Sequence, residues 1–208
     1  MILLPEVAVI RILTVCTGNI CRSPLAEKVL EHRLGDLVVS VSSAGTRARA
    51  GMPMTPQTIE LAAERGVPEP IAAHAARLLS AADVHSADLV IALARDHRRE
   101  IVELAPSGMS YTFTAREFER LSAGVRDDEI RRVASDMTNG AQTAPRDRVR
   151  AVLALIARQR GVVLPPAAPE DDDVVDPYGR SRTTYSRSAD QLDPALLALE
   201  RVLRLTLG

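Results

Sequence analysis

The sequence predicts an α/β fold. It is read as one three-layer domain with a central four-stranded parallel sheet, helices on both faces, and a tight glycine-containing loop after the first strand. Three observations carry this. Val9–Val15 and Asp88–Ala94 are near-continuous runs of Val, Ile, Leu and Ala, the pattern of strands buried on both faces. Such runs alternate with segments of helical periodicity, the order of a parallel sheet with crossover helices. A chain of 208 residues, 46% apolar and 25% charged, is long enough for one domain with a real core.

Element by element, Met1–Val15 divides into a leading tail and the first strand. The polar turn Cys16–Arg22 follows, and Ser23-Pro24 reads as a helix start, serine as cap and proline in the first helical position. Leu25, Val29, Leu30 and Leu34 give that helix its buried stripe. Leu37–Val41 is the second strand, ending at Ser42–Thr46. Pro56–Arg65 is a helix closed by Gly66, and Ser80–Ser86 is a short helical turn. Asp88–Ala94 is the third strand; Asp96 then caps a helix carrying His97, Ile101 and Leu104. Ser110–Thr114 is a weaker fourth strand, followed by a helix through Phe118 and Leu121.

The pattern then loosens. An extra helical insertion is expected at about 123–173, containing the loop Thr138–Pro145 and the helix Arg148–Arg160. Its end, Leu164–Asp173, is rich in proline and aspartate and is expected to be mobile and solvated. Asp193-Pro194 reads as the start of a last helix, with Leu196, Leu199 and Leu203 packed on the sheet.

Composition excludes several classes. A net charge of −1 provides no global field for nucleic acid or an anionic membrane. Pro5, Glu6 and Arg11 interrupt the short apolar start, so no targeting segment is expected, and no run approaches bilayer length. Two cysteines five residues apart do not make a secreted disulfide scaffold; a cytoplasmic protein with a functional thiol is expected. The four histidines and two cysteines have no metal-ligand spacing, so neither metal nor cofactor is expected.

Cys16-Thr17-Gly18-Asn19-Ile20-Cys21-Arg22-Ser23 is the stretch that carries chemistry. A strand, a tight turn and a helix start aim main-chain N–H groups at an anion. The same N–H groups and a nearby guanidinium stabilise a thiolate. Arg22 offers a planar fork for two phosphoryl oxygens, and Ser23 is placed to donate to the sulfur. Gly18 and Asn19 tolerate the positive φ such a loop needs. Taken alone, the Cys-to-Arg spacing is also compatible with a merely buried cysteine.

The stretch VCTGNICRSPLAE resembles the phosphate loop of the low-molecular-weight protein tyrosine phosphatases. Ser42–Thr46 (SSAGT), His74-Ala75-Ala76-Arg77, DLVIALARDH and Asp176-Pro177-Tyr178-Gly179 resemble further segments of that family in the same order. The resemblance covers residues 10–121 and 174–207. It implies that Cys16 attacks phosphorus, that Arg22 and the amides of Thr17, Gly18, Asn19, Ile20 and Cys21 bind the phosphoryl group, and that Asp176 is general acid and then base. It implies that Ser43 and His74 hold Asn19, that Cys16 and Cys21 form a protective disulfide, and that the substrate is a phosphotyrosine protein. The bacterial branch it resembles acts on tyrosine kinases of surface polysaccharide. A monomer or weak dimer is expected.

Each assignment has a plainer counterpart. Asp176-Pro177 is also a turn initiator, and Asp171, Asp172 and Asp173 are a solvated run in which Asp173 is the second choice of acid. Tyr178 is a pocket wall or an exposed loop aromatic, with Arg47 on the segment facing it across the cleft. His32, His85 and His97 read as surface residues. The arginines between Arg126 and Arg160 are a solvated face or a contact for an anionic partner. Two rival functions remain: a thiol-dependent arsenate reductase, for which relay cysteines beyond Cys21 are absent from this sequence, and a non-catalytic phosphotyrosine-binding protein.

Overall fold

The computed structural model describes residues 9–69, 71, 73–136 and 144–208. The expected leading tail and residues 138–143 of the expected loop lie outside them. The chain runs β1 (Ile10–Cys16), α1 (Arg22–Arg33), β2 (Val39–Gly45), α2 (Pro56–Glu64), α3 (Ala81–Ser86), β3 (Leu89–Ala92), α4 (Arg95–Leu104), β4 (Thr112–Thr114), α5 (Ala115–Ala123), α6 (Asp127–Asp136), α7 (Pro145–Arg158) and α8 (Arg182–Leu207).

All four strands are parallel, in the order β2-β1-β3-β4. The predicted architecture is therefore observed. The chain leaves β1 for β2 on one side and returns across it to β3 on the other, so the direction of winding reverses at the carboxyl end of β1. That is where open α/β sheets bind ligands. Alternation along β1 sends Ile10, Ile12 and Cys16 to the core shared with α1, α5, α7 and α8, and Leu13 and Val15 to a smaller core under α3 and α4. Phe113 and Phe118 meet edge to face in the larger core, 5.5 Å between centroids.

Several expectations are corrected. The second strand does not stop at Ser42: β2 pairs with β1 as far as Cys16↔Gly45, and Ser42 and Ser43 turn their hydroxyls to Ile12 O and Glu27. The first helix begins at Arg22 behind Cys21, which puts Ser23 inside the first turn and frees its hydroxyl for other work. Ala94, not Asp96, is the cap residue of α4.

The last helix starts at Arg182, capped by the Ser181 side chain accepting from Thr184 N–H, and passes through Pro194. Asp193 is not its cap; its carboxylate takes Arg65 Nε at 2.8 Å. The buried stripe Tyr185, Ala189, Leu192, Leu196, Leu199, Leu203 runs at helical spacing across the proline, and this burial outweighs the lost N–H. α6 was not expected; it packs with α7 against α8. Nor is 164–173 a loose connection: Asp172 pairs with Arg120 at 2.8 Å and Asp173 with Arg95 at 3.0 Å. The arginines of this region are partly committed, Arg146 to Asp88 and Arg160 to Glu117 and the face of Phe113. Among the described residues no helix is long and apolar enough to cross a membrane.

Candidate active site

Residues 16–22 curl over the carboxyl end of β1. Cys16 is 2% exposed, and its sulfur meets Ser23 Oγ at 3.0 Å and the Asn19 N–H at 3.3 Å. The N–H groups of Thr17, Gly18, Ile20, Cys21 and Arg22 have no protein acceptor among the described residues, and all five residues line one pocket of about 330 Å³. Such a ring of unpaired N–H groups at a helix start is a seat for an oxyanion.

The loop's shape is fixed through Asn19, fully buried and at φ 55°, the only non-glycine residue with positive φ among those described. Its amide donates to Ser23 Oγ at 3.0 Å and Ser43 Oγ at 2.7 Å, and its side-chain oxygen accepts Arg77 N–H at 2.9 Å. His74 Nε2 donates to the Asn19 carbonyl at 2.7 Å. Ser43 and His74 thus both reach Asn19. Gly18, which would also tolerate a positive φ, does not adopt one. The indispensable glycine is Gly45: a Cβ there would sit 2.5 Å from Thr17 O and 2.9 Å from Asn19 N. The close approach of β2 to the loop requires its bare backbone.

Arg22 is 5% exposed. One terminal nitrogen donates to Val174 O at 3.0 Å and the other lies 2.9 Å from Asp176 Oδ2, while its buried Nε has no partner among the described residues. Cys16, Arg22 and Asp176, 160 residues apart in the chain, therefore line one pocket. The acid segment is tied down by Val174 N–H to Leu93 O at 3.0 Å and Val175 N–H to Gln191 Oε1 at 2.9 Å. Asp173, engaged by Arg95, is not among the pocket residues. Tyr178 and Arg47 line the mouth together with Ile20, Arg49 and Met52. Arg47 reaches Glu100 at 2.7 Å.

Cys21 is a buried free thiol in the same pocket. Burial pushes its pKa up, partly offset by hydrogen bonds from Tyr185 and Thr55. Tyr185 is itself raised to about 12, chiefly by burial.

Reading the sequence missed His97. It is 4% exposed rather than on the surface, and its Nε2 lies 2.8 Å from Thr17 Oγ1. The signal was its position in the first turn of the helix after β3, beside the same strand ends as the loop. Among the described residues no group of three or more His, Cys, Asp or Glu side chains is gathered as a metal would need.

The comparisons fit this geometry. The profile described as low molecular weight phosphotyrosine protein phosphatase matches residues 11–133. A probable low molecular weight protein-tyrosine-phosphatase, EpsP of Ralstonia solanacearum, is 38% identical over 121 residues, 58% of this chain and 79% of that protein. Etp, a low molecular weight protein-tyrosine-phosphatase of Escherichia coli K12, is 39% identical over 95 residues, 46% of this chain and 62% of its own. Among solved structures, the YwlE arginine phosphatase of Geobacillus stearothermophilus superposes with a TM-score of 0.64 at 26% identity, over 94% of this chain and 93% of that one. From the loop, the sheet and these matches, the chain belongs to the low molecular weight phosphotyrosine protein phosphatase family.

Proposed function

We propose that the protein hydrolyses aryl phosphate monoesters, phosphotyrosine in a protein above all, through a phosphocysteine on Cys16. The observation that carries this is the thiol at the centre of five unpaired N–H groups, with the unpartnered Nε of Arg22 at the same pocket. The phosphoryl group accepts from that ring and from Arg22. Sulfur attacks phosphorus in line, the bond to the phenolic oxygen breaks, and Asp176 gives that oxygen its proton. Water then attacks the phosphocysteine, Asp176 takes its proton, and inorganic phosphate leaves. In the free protein Arg22 holds Asp176 at 2.9 Å. A phosphoryl group competing for that guanidinium frees the Asp176 carboxylate, which takes up the proton the Cys16 thiol gives up and carries it to the leaving oxygen. Ser23 Oγ, 3.0 Å from the sulfur and 3.3 Å from Ala44 O, supports the thiolate by turning its one hydrogen from that carbonyl to the sulfur.

The pocket mouth favours an aryl over a guanidinium leaving group. Ile20, Met52 and Tyr178 offer apolar contact to a ring, while Arg49, which has no ion pair among the described residues, repels a second guanidinium. This weighs against phosphoarginine, although a structural relative is named an arginine phosphatase. A tyrosine kinase of surface polysaccharide is the candidate protein substrate that the bacterial resemblance offers, in a cytoplasmic setting. Residues 123–173 are read as an addition to the family domain. A peroxide that oxidises Cys16 to a sulfenic acid, itself reduced to water or an alcohol, followed by attack of Cys21 with loss of water, would give the protective disulfide.

The test is turnover of para-nitrophenyl phosphate. Cys16→Ser should have no detectable turnover, and Asp176→Asn should be slowed roughly 10²–10⁴-fold. Vanadate should inhibit competitively. Full activity in the asparagine variant overturns the assignment of the acid.

A further inference from the structure

His97 is a buried titratable group that this mechanism leaves idle. It sits in the first turn of α4, 4% exposed, with Nε2 2.8 Å from Thr17 Oγ1 and with Nδ1 buried and unpartnered among the described residues. Burial, with Arg22 adding to it, pushes its pKa down to about 4, while Glu100, Asp176 and Asp173 act in the opposite direction. The ring is therefore neutral near pH 7 and carries one N–H.

Two tautomers are possible. If Thr17 donated to Nε2, the hydrogen would sit on Nδ1 as a buried donor without an acceptor, the rarest and among the costliest polar defects. The other tautomer places the hydrogen on Nε2, donating to Thr17 Oγ1, and leaves only a bare lone pair at Nδ1. Thr17 Oγ1 then accepts from His97, and its own hydrogen must point elsewhere. Thr17 lines the pocket, and its backbone is pinned by Arg47 N–H donating to its carbonyl at 2.9 Å.

We propose that His97 is a positioning residue: by donating from Nε2 to Thr17 it turns the Thr17 hydroxyl into the pocket, where that hydroxyl donates to the substrate's phosphoryl group. This rests on the phosphatase reading and adds a side-chain donor to the ring of main-chain amides.

The experiment combines kinetics with para-nitrophenyl phosphate and imidazole ¹⁵N chemical shifts of the wild-type protein. Thr17→Val and His97→Phe should each lower kcat/KM by roughly 10–100-fold, the range for a hydrogen bond to a charged group. The double variant should be no slower than the slower single. His97→Gln, whose amide reaches the Nε2 position, should recover most of the loss. The shifts should report the Nε2–H tautomer at neutral pH. A Thr17→Val enzyme within twofold of wild type, effects that multiply in the double variant, or an Nδ1–H tautomer would overturn the proposal. Should His97→Phe fail to fold, Thr17→Val and the tautomer decide alone. An inactive wild type would instead sink the phosphatase reading and leave the tautomer measurement standing.

Discussion

The phosphate loop and the acid segment meet on Arg22 but are built in opposite ways. In the loop the framework is fixed while the main-chain N–H groups around the sulfur stay free for an anion: Asn19 is fully buried and held by Ser23, Ser43, His74 and the Arg77 amide. The acid segment is held at Val174, by Leu93 O and Arg22, and at Val175, by Gln191, and beyond these the side chains of Asp176 and Tyr178 are more exposed. The difference follows from what each must do. An oxyanion seat gains from dipoles that need no reorganisation. A proton donor must leave one partner for another within each turnover.

Arg22 belongs to both regions, so removing it breaks both. Arg22→Ala should lower kcat/KM for an aryl phosphate by roughly 10³–10⁵-fold, the range for a guanidinium that stabilises phosphoryl transfer. Arg22→Lys should restore little, since a point charge cannot reproduce the fork.

Asn19→Ala breaks the loop alone. It strands buried partners and leaves a Cβ residue other than Asn at positive φ, so chemical denaturation should report a loss of about 2–4 kcal/mol. Vanadate affinity should fall with it.

His97 gives the loop side a pH signature. Its folded pKa, about 4, lies below the unfolded 6.5, so the unfolded chain takes up a proton first as pH falls. Stability should therefore be unaffected by His97 above pH 6.5 and decline as pH drops from there to 4, by up to roughly 3 kcal/mol. His97→Gln should lose that part of the slope in pH-dependent denaturation. An unchanged slope would mean that His97 is solvated.

Gln191→Ala touches only the acid segment. Freeing the Val175 N–H should lower kcat by about 2–10-fold, as a modest neutral hydrogen bond would, and leave vanadate inhibition unchanged. A parallel loss of vanadate affinity would show that the two regions are one unit.

Sheet and loop were legible because local sequence determines them: buried apolar runs form β1 and β3, and Cys16–Ser23 joins strand to helix. What stayed hidden depends on distant partners. Ser42 and Ser43 look like a strand end until Ile12 and Glu27 take their hydroxyls. Pro194 looks like a helix start because proline is a strong local signal, yet the stripe from Tyr185 to Leu203 continues through it. Asp172 and Asp173 look solvated until Arg120 and Arg95 are brought to them, and His97 looks like a surface residue until α4 sets it against Thr17. None of these pairings leaves a mark within a single segment.

The most direct measurement is mass spectrometry of Asp176→Asn protein quenched in acid during turnover of para-nitrophenyl phosphate. The asparagine variant also lacks the base that activates water, so the intermediate should accumulate. One added phosphoryl group is expected, on the peptide carrying Cys16, and none on a Cys16→Ala protein under the same conditions. A phosphoryl group found on another residue, or steady turnover with no covalent adduct at any time, would contradict it.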